Sequence, residues 1–326
     1  MKKKYSLILI ILFIGILFKP AFAQQDSQFS QYMFNTLFFN PAYAGAEGFS
    51  RFQLHYRNQW TGYSTSNTAD NLGAITTTNF SFTTPISRLR SGVGVYVNQD
   101  KNSPITNLEA QVSYAYHYPL KNGKLSIGLR GGMYNNVTDF DKYRFVDSGD
   151  PLISTGRQTA TKPDLAAGLY YRTEKYYMGI SINHIVHSKF TYDKVSLINA
   201  LATHAYFTAG YNLDINYEWV FTPSVLIKSD INTYQFSISG LLTYNRNFWG
   251  GLSFNQGDAA ILMVGANFGK DKQGNRPFRF GYSFDFIIKG VQAKARTSSE
   301  VILSYRLPNF IPTARTLTRT PRFRQH

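Results

Sequence analysis

Strict alternation of apolar and polar residues is the dominant pattern of this chain. It is clearest between Pro277 and Ile287, where five aromatic residues alternate with an arginine, a glycine, a serine and an aspartate. The aromatic positions are Phe278, Phe280, Tyr282, Phe284 and Phe286, and the intervening positions are Arg279, Gly281, Ser283 and Asp285. A period of two places the two sets on opposite faces of a β-strand. An all-aromatic face opposite a face with charges of both signs is typical of a strand between lipid and a wet lumen.

The alternation recurs along the chain and predicts an all-β fold, a transmembrane antiparallel β-barrel of about 14 strands. The predicted strands are roughly 49–58, 71–84, 90–98, 105–118, 124–135, 163–173, 175–184, 203–213, 216–228, 232–246, 247–256, 258–269, 277–287 and 299–307. The connections after odd-numbered strands include the long ones, at 59–70, 136–162, 185–202 and 288–298. Long loops outside the cell and short periplasmic turns are the usual asymmetry of such barrels. We therefore expect the barrel to span 49–307, with both chain ends on the periplasmic side.

The lumen of a fourteen-stranded barrel is wide enough to hold water, a plug or a threaded peptide. Inward-facing charges are predicted on several strands, namely Arg130, Arg172, Arg279 and Arg306 together with Glu109, Asp285 and Glu300. We expect these groups to form salt bridges that brace the lumen rather than a transport ladder. On the same assignment of faces, Gly281 should tolerate serine, whereas arginine at the lipid-facing Phe280 should not be tolerated.

Residues 1–23 have the features of a secretory signal peptide. Three lysines precede an apolar run from Leu7 to Phe18, and Ala21-Phe22-Ala23 forms a small-x-small cleavage site. The apolar run is shorter than the ~20 residues of a membrane-spanning helix, so we expect cleavage rather than a retained anchor. The chain has no cysteine, which excludes disulfides, zinc–thiolate sites and thiol catalysis.

Residues 24–48 do not alternate and form a segment that we call the leader. Phe29, Tyr32, Met33 and Leu37 fall at helical spacing, and Asp26 or Ser27 is placed to cap a short helix. Asn40-Pro41 should end that helix, because proline disfavours helical geometry in the residue before it. Two alternatives remain open at this point: a periplasmic leader packed against the barrel mouth, or a partial plug.

The chain is basic, with a formal net charge of +15. Removal of residues 1–23 takes away four lysines and no acid, which leaves +11. The basic residues are spread over turns, lumen positions and a C-terminal tail at 308–326, which argues against nucleic acid and favours acidic partners or anionic lipid head groups. The mean hydropathy of −0.25 excludes a bundle of membrane helices but not a barrel, because only alternate strand residues face lipid.

The sequence lacks the local motifs of an enzyme. It has no G-x-S-x-G, no H-E-x-x-H and no phosphate-binding glycine loop. His184 and His187 form an H-x-x-H without a nearby acidic residue, and we interpret them as incidental loop histidines rather than half of a metal site. We therefore expect no catalytic, metal-binding or cofactor-binding residues.

The leader and the first strand resemble the PorP/SprF proteins of the type IX secretion and gliding motility system. The residues that carry the resemblance are Gln31, Tyr32, Met33, Phe34 and Asn35, then Asn40, Pro41, Ala42, Tyr43 and Gly45, then Arg57, Gln59, Trp60 and Gly62. The resemblance extends over nearly the whole chain after residue 23. It departs from the family at Thr36, where proline is frequent, and in the basic tail.

The resemblance implies a non-enzymatic protein of the outer membrane that takes part in protein secretion. It would help to secrete, or to anchor at the surface, a large adhesin-like cargo through the C-terminal domain of that cargo. Its partners would be outer-membrane lipid, the cargo and other type IX secretion components on the periplasmic side, and the signature residues would be partner contacts. The residues themselves leave two other functions open, a passive porin for small solutes and an outer-membrane hydrolase.

Overall fold

A computed structural model describes residues 26–64, 73–144, 155–190, 199–230, 233–271, 274–290 and 294–308. The predicted signal peptide at 1–23 and all of the basic tail except Pro308 lie outside these residues. Among the described residues, no helix is long and apolar enough to cross a membrane.

Within the described residues, fourteen long strands form one closed antiparallel barrel. The strands are β1 (Arg51–Gln59), β2 (Ile75–Ile86), β3 (Ser91–Asn102), β4 (Ile105–Leu120), β5 (Gly123–Asp139), β6 (Arg157–Arg172), β7 (Tyr176–Asn183), β8 (His204–Tyr211), β9 (Trp219–Ser229), β10 (Tyr234–Tyr244), β11 (Phe248–Asn255), β12 (Ala259–Phe268), β13 (Phe278–Ile287) and β14 (Thr297–Arg306). Each strand pairs with its neighbours in sequence, and β1 pairs with β14 to complete the ring. The predicted fourteen-stranded barrel is confirmed, and closure leaves none of these fourteen strands with an unpaired edge.

Several strand boundaries differ from the predicted ones because pairing continues beyond the alternating pattern. β5 and β6 stay paired as far as Asp139 opposite Arg157, so the predicted connection at 136–162 is shortened to 140–156. The connection between β7 and β8 carries a small ladder of its own, Lys189–Phe190 against Asn199–Ala200. The two-residue strand Leu213–Asp214 extends the pairing with β9.

The two faces of the strands have the predicted composition. On β13, Phe278, Phe280 and Phe286 are exposed on the outside, whereas Ser283 and Asp285 are fully buried inside. The other strands carry an outward set of leucine, isoleucine, valine, tyrosine and phenylalanine side chains in the same way. This apolar outer surface surrounds a polar interior, which is the distribution expected of a barrel in lipid.

Replacing Phe280 with arginine should impair assembly of the barrel. The ring points outward at the third residue of a ten-residue strand, and a cation facing lipid costs up to about 2 to 4 kcal/mol, the figure at the midplane. The fraction of heat-modifiable barrel in the outer membrane is the measurement, with Phe280→Leu as the matched control. Equal folded fractions for Phe280→Arg and Phe280→Leu would mean that this face does not contact lipid.

The expectation that Gly281 tolerates serine is wrong. A Cβ atom at this position would lie 2.5 Å from Ile302 Cγ2, 2.6 Å from Gln31 Oε1 and 2.7 Å from the ring of Trp249. These distances are well below ordinary van der Waals contact, so the glycine is required by the close packing of the interior. The alternation located the face correctly but could not show that the lumen is filled there.

The leader contains three short helical turns rather than one amphipathic helix. They are a 3₁₀ turn at Tyr32–Phe34, an α-helical turn at Thr36–Phe39 and a 3₁₀ turn at Pro41–Tyr43. Further 3₁₀ turns lie at Ser87–Leu89 and Phe140–Lys142. The predicted helix cap at Asp26 or Ser27 is wrong, because Asp26 contacts His184 and Tyr206 and Ser27 contacts Asn98. Both side chains are used to bind the barrel wall.

Candidate functional site

The leader lies inside the barrel and runs along its lumen. At its start, Asp26 contacts His184, immediately after the end of β7. At its end, Gly45 packs against Gly92 at the start of β3 and its N–H donates to Thr83 Oγ1 at 2.7 Å. Odd strands end where even strands begin, so these two contacts are at opposite ends of the barrel. The leader therefore spans the lumen instead of covering one mouth.

A buried charge cluster holds the first part of the leader. The Arg57 guanidinium lies 2.8 Å from Asp285 Oδ2 and 3.5 Å from Glu300 Oε2, and it donates to Ser30 Oγ. Glu300 in turn accepts the backbone N–H groups of Ser30, at 2.6 Å, and of Gln31, at 3.2 Å. Hydrogen bonds to a charged acceptor are stronger than neutral ones. The leader backbone is thus bound directly by a carboxylate of β14.

Aromatic packing holds the middle of the leader. The rings of Phe29, Phe38 and Phe39 pack edge-to-face at centroid distances of 5.1 to 6.2 Å. Phe38 and Phe39 also contact the inward rings of Tyr96, at 5.4 Å, and Tyr206, at 5.3 Å. Burying a large apolar side chain stabilises by about 1.5 to 3 kcal/mol, so this cluster stabilises the leader within the lumen.

Two further signature rings join the leader to the opposite wall. The Tyr32 hydroxyl lies 3.1 Å from both Ser224 Oγ and Ser239 Oγ. The Phe34 ring packs 5.0 Å from Trp249 and under the guanidinium of Arg279, 4.6 Å from the ring centroid. Leader rings therefore contact strands on different sides of the barrel.

The Asn40-Pro41-Ala42 turn fits a notch formed by glycines of β5, β6 and β7. Asn40 Oδ1 accepts the N–H of Ala42 at 2.9 Å, and Asn40 Nδ2 donates to the carbonyls of Leu169 and Ile180. A Cβ atom at Gly128 would lie 2.3 Å from Ala42 N. Corresponding atoms at Gly168 and Gly179 would lie 2.2 and 2.8 Å from the Asn40 amide group. Only glycine lets the leader approach the wall this closely.

Charged and aromatic residues surround the leader where it leaves the lumen. Glu47 pairs with Arg51 at 2.7 Å, and Tyr43 packs 5.5 Å from the ring of Tyr170. Burial would raise the pKa of Glu47, but Arg51 and Arg172 outweigh burial and hold that pKa below its ordinary value. Burial and the neighbouring Glu47 carboxylate raise the pKa of Tyr43, against the opposing effect of Arg172. Glu47 is therefore an anion and Tyr43 a neutral phenol at this end of the barrel.

The remaining signature residues are less closely grouped. Asn35 is buried in the leader, and its amide has no hydrogen-bond partner among the described residues. Gln59 is buried at the end of β1. Trp60 follows Gln59 with φ +56°, and its backbone N–H donates to Ser298 Oγ at 2.9 Å. Gly62 is exposed and has φ +81°. The structure thus brings Gln31 to Gly45 and Arg57 into one lumen site and leaves Gly62 outside it.

The predicted lumen salt bridges have different partners from those expected. Asp285 and Glu300 pair with Arg57, not with the four arginines that the alternation singled out. Arg130 donates to the carbonyls of Leu37 and Phe38 in the leader, at 3.1 and 2.8 Å. The alternation identified which residues face inward, but the leader occupies the space across which they were expected to pair.

His184 is not an incidental loop histidine. It is buried, with Nδ1 3.0 Å from Asp164 Oδ2 and Nε2 3.0 Å from Asp26 Oδ1, and the ring of His204 lies 5.9 Å away. Burial would lower the pKa of His184, but the Asp26 and Asp164 carboxylates raise it well above its ordinary value. The two histidines likewise hold the pKa of Asp26 low against burial. His187, by contrast, is exposed.

Three residues near the start of the leader were not predicted to lie together. Asp164 contacts His184, and His204 and Tyr206 contact Asp26, and each of these pairs is 20 to 180 positions apart in sequence. The glycines of the notch could have indicated their contact with the leader from the sequence, because a glycine at an inward strand position often marks a close approach by another segment.

Comparison with known proteins gives one family and several barrel structures. The sequence model of the family described as type IX secretion system membrane protein PorP/SprF matches residues 21–305. No curated protein matches the chain. The chain is similar to the toluene transporter TodX of Pseudomonas putida, with 12% identity over 83% of this chain and 92% of that chain and a TM-score of 0.49. It is similar to a FadL homologue of Pseudomonas aeruginosa, with 11% identity over 78% of this chain and 88% of that chain and a TM-score of 0.41.

Proposed function

The chain belongs to the PorP/SprF family of type IX secretion system membrane proteins, and we propose that it is a non-enzymatic outer-membrane adaptor. In this proposal it helps to secrete or anchor a large, adhesin-like cargo at the cell surface through the C-terminal domain of the cargo. It works with other secretion components on the periplasmic side.

The observation that carries this proposal is the occupied lumen. Leader side chains and backbone contact strands around the whole barrel, including β14 through Glu300, β10 through Ser239 and β6 through Leu169. A passive porin needs an open aqueous path, and the leader occupies the space in which such a path would lie. The filled lumen supports a binding and anchoring role over diffusion of small solutes.

Two measurements, one on the purified barrel and one in cells, test the proposal. In planar bilayers the intact protein should pass little current, whereas a diffusion channel would pass a large and steady one. In the second, the affinity-tagged barrel is cross-linked in cells and recovered from solubilised outer membrane. It should carry a secreted protein attached through its C-terminal domain, and that domain, made separately, should bind the barrel directly. A large steady current without bound cargo would contradict the adaptor and support the porin.

The proposed orientation places the long connections outside the cell, and it can be tested with single cysteines because the chain has none of its own. Lys289 follows β13 and Ser87 follows β2, so these two exposed residues lie at opposite ends of the barrel. On intact cells, Lys289→Cys should react with a membrane-impermeant maleimide and Ser87→Cys should not. Both should react after the outer membrane is permeabilised. Labelling of Ser87→Cys alone would show that the barrel has the opposite orientation in the membrane.

A further inference from the structure

Asp26, His184 and His204 bring two imidazoles and a carboxylate together where the leader starts. One ligand atom from each residue lies within 4.8 Å of the others, and all three side chains are buried. Asp26 belongs to the leader, His184 directly follows β7 and His204 is the first residue of β8. The cluster therefore joins the leader to two adjacent strands of the wall.

The spacing of these atoms is close to that of ligands around one ion. His184 Nε2 lies 3.0 Å from Asp26 Oδ1. The nitrogen of His204 that faces Asp26 is Nδ1, 3.6 Å from Oδ2, so Nε2 reaches the same ion only after the His204 ring turns. Tetrahedral zinc, with ligand bonds of about 2.0 to 2.1 Å, places neighbouring ligand atoms about 3.3 Å apart. A ligand atom of each of the three residues already lies within 4.8 Å of the others, so this turn and a small shift of His184 would complete the set.

The hydrogen bonds to His184 and His204 resemble those that orient histidine ligands in metal sites. His184 Nδ1 is bound to Asp164 Oδ2 at 3.0 Å, and Gln111 Nε2 donates to the same oxygen at 2.9 Å. His204 donates its Nδ1–H to the Ala202 carbonyl at 2.9 Å, which leaves the lone pair on Nε2. Histidine ligands commonly bind a carboxylate or a backbone carbonyl through the ring nitrogen that does not face the metal.

An unpartnered nitrogen is the second observation that points to a ligand. His204 Nε2 is buried and has no hydrogen-bond partner among the described residues. A buried polar atom that is left unpaired destabilises the fold. Coordination by Nε2 would remove that destabilisation.

We infer that Asp26, His184 and His204 form a binding site for a divalent transition-metal ion, with zinc as the best match. Two imidazoles and a carboxylate suit zinc, whereas calcium and magnesium prefer oxygen ligands. A water molecule completes the four-coordinate set, and the Tyr206 hydroxyl donates to the Asp26 carboxylate and orients it. The ion crosslinks the start of the leader to β7 and β8, and its role is structural.

Zinc titration of the purified barrel tests this site. The protein is prepared with a tag free of histidine, stripped with a chelator and titrated with zinc chloride by calorimetry in detergent, after heat-modifiability has confirmed the fold. Wild type should bind one zinc ion, and His184→Gln or His204→Gln should weaken binding at least 100-fold. Asp164→Asn, which removes only the orienting carboxylate, should weaken it about 10- to 100-fold.

The matched controls are His187→Gln, three positions from His184 but exposed, and His117→Gln, buried on another strand against Ser126. Both should bind zinc as wild type does. Cobalt should give the visible absorption of a tetrahedral complex in wild type and in both controls, but not in His204→Gln.

Two outcomes would overturn the inference. No zinc uptake by the folded wild type would mean that the cluster is an ion pair only, and equal uptake by His184→Gln and His204→Gln would place the zinc elsewhere. Neither outcome bears on the adaptor proposal, which is tested by cargo capture and conductance.

Discussion

Deletion of residues 28–45 is expected to convert a barrel that passes little current into an open channel that no longer captures cargo. The deletion removes the aromatic cluster, the Asn40 turn and the leader groups bound to Glu300. The barrel should still close, because each of the fourteen strands pairs with two neighbours without help from the leader. The lumen would then fill with water around charged residues that the leader now covers.

Single-channel conductance and cargo capture are the two measurements, with heat-modifiability as the test of folding. The matched control is a synthetic peptide of residues 28–45 added to the deletion variant, which should reduce the current again. A deletion variant that folds, passes little current and captures cargo at the wild-type level would show that the leader neither fills the lumen nor serves in binding. The adaptor proposal would then lose its main support.

Replacement of Arg57 by methionine should destabilise the leader more than any other single change in the lumen. The substitution leaves Asp285 and Glu300 buried without their cation. Removing one partner of a buried ion pair costs about 3 to 5 kcal/mol. Arg57 also binds Ser30, so the start of the leader should become accessible to protease in the folded barrel.

The matched control is Arg51→Met, on the same strand and also in an ion pair, with Glu47. Arg51 lies near the mouth, where its side chain is 11% exposed, and it serves one carboxylate instead of two, so its loss should cost less than that of Arg57. Combining Arg57→Met with Asp285→Asn and Glu300→Gln should recover most of the stability, because no uncompensated carboxylate remains. Urea unfolding in detergent measures all of these variants. Equal losses for Arg57→Met and Arg51→Met would mean that the cluster around Arg57 contributes no more than the single ion pair at the mouth.

The barrel could be predicted from the sequence because its signal is local. Side-chain direction in a strand alternates with every residue. The alternation alone therefore shows that Phe280 faces lipid and Gly281 faces the lumen, whichever strands lie beside them. Strand ends were less certain, since β5 and β6 extend to Asp139 and Arg157 only because each supplies a pairing partner for the other. The signature residues of the leader were also visible in the sequence, although their contacts were not.

The sequence by itself determined the fourteen strands, the faces that they present to lipid and lumen, and the resemblance to a family. Only the tertiary structure decided what fills the lumen. Contacts such as Asp26 with His184, or Ser30 with Glu300, join residues 158 and 270 positions apart, and the leader has no repeating pattern that could indicate its path. Closing the barrel brings distant strands around one axis, and the leader then packs where glycines such as Gly128 leave room for its backbone.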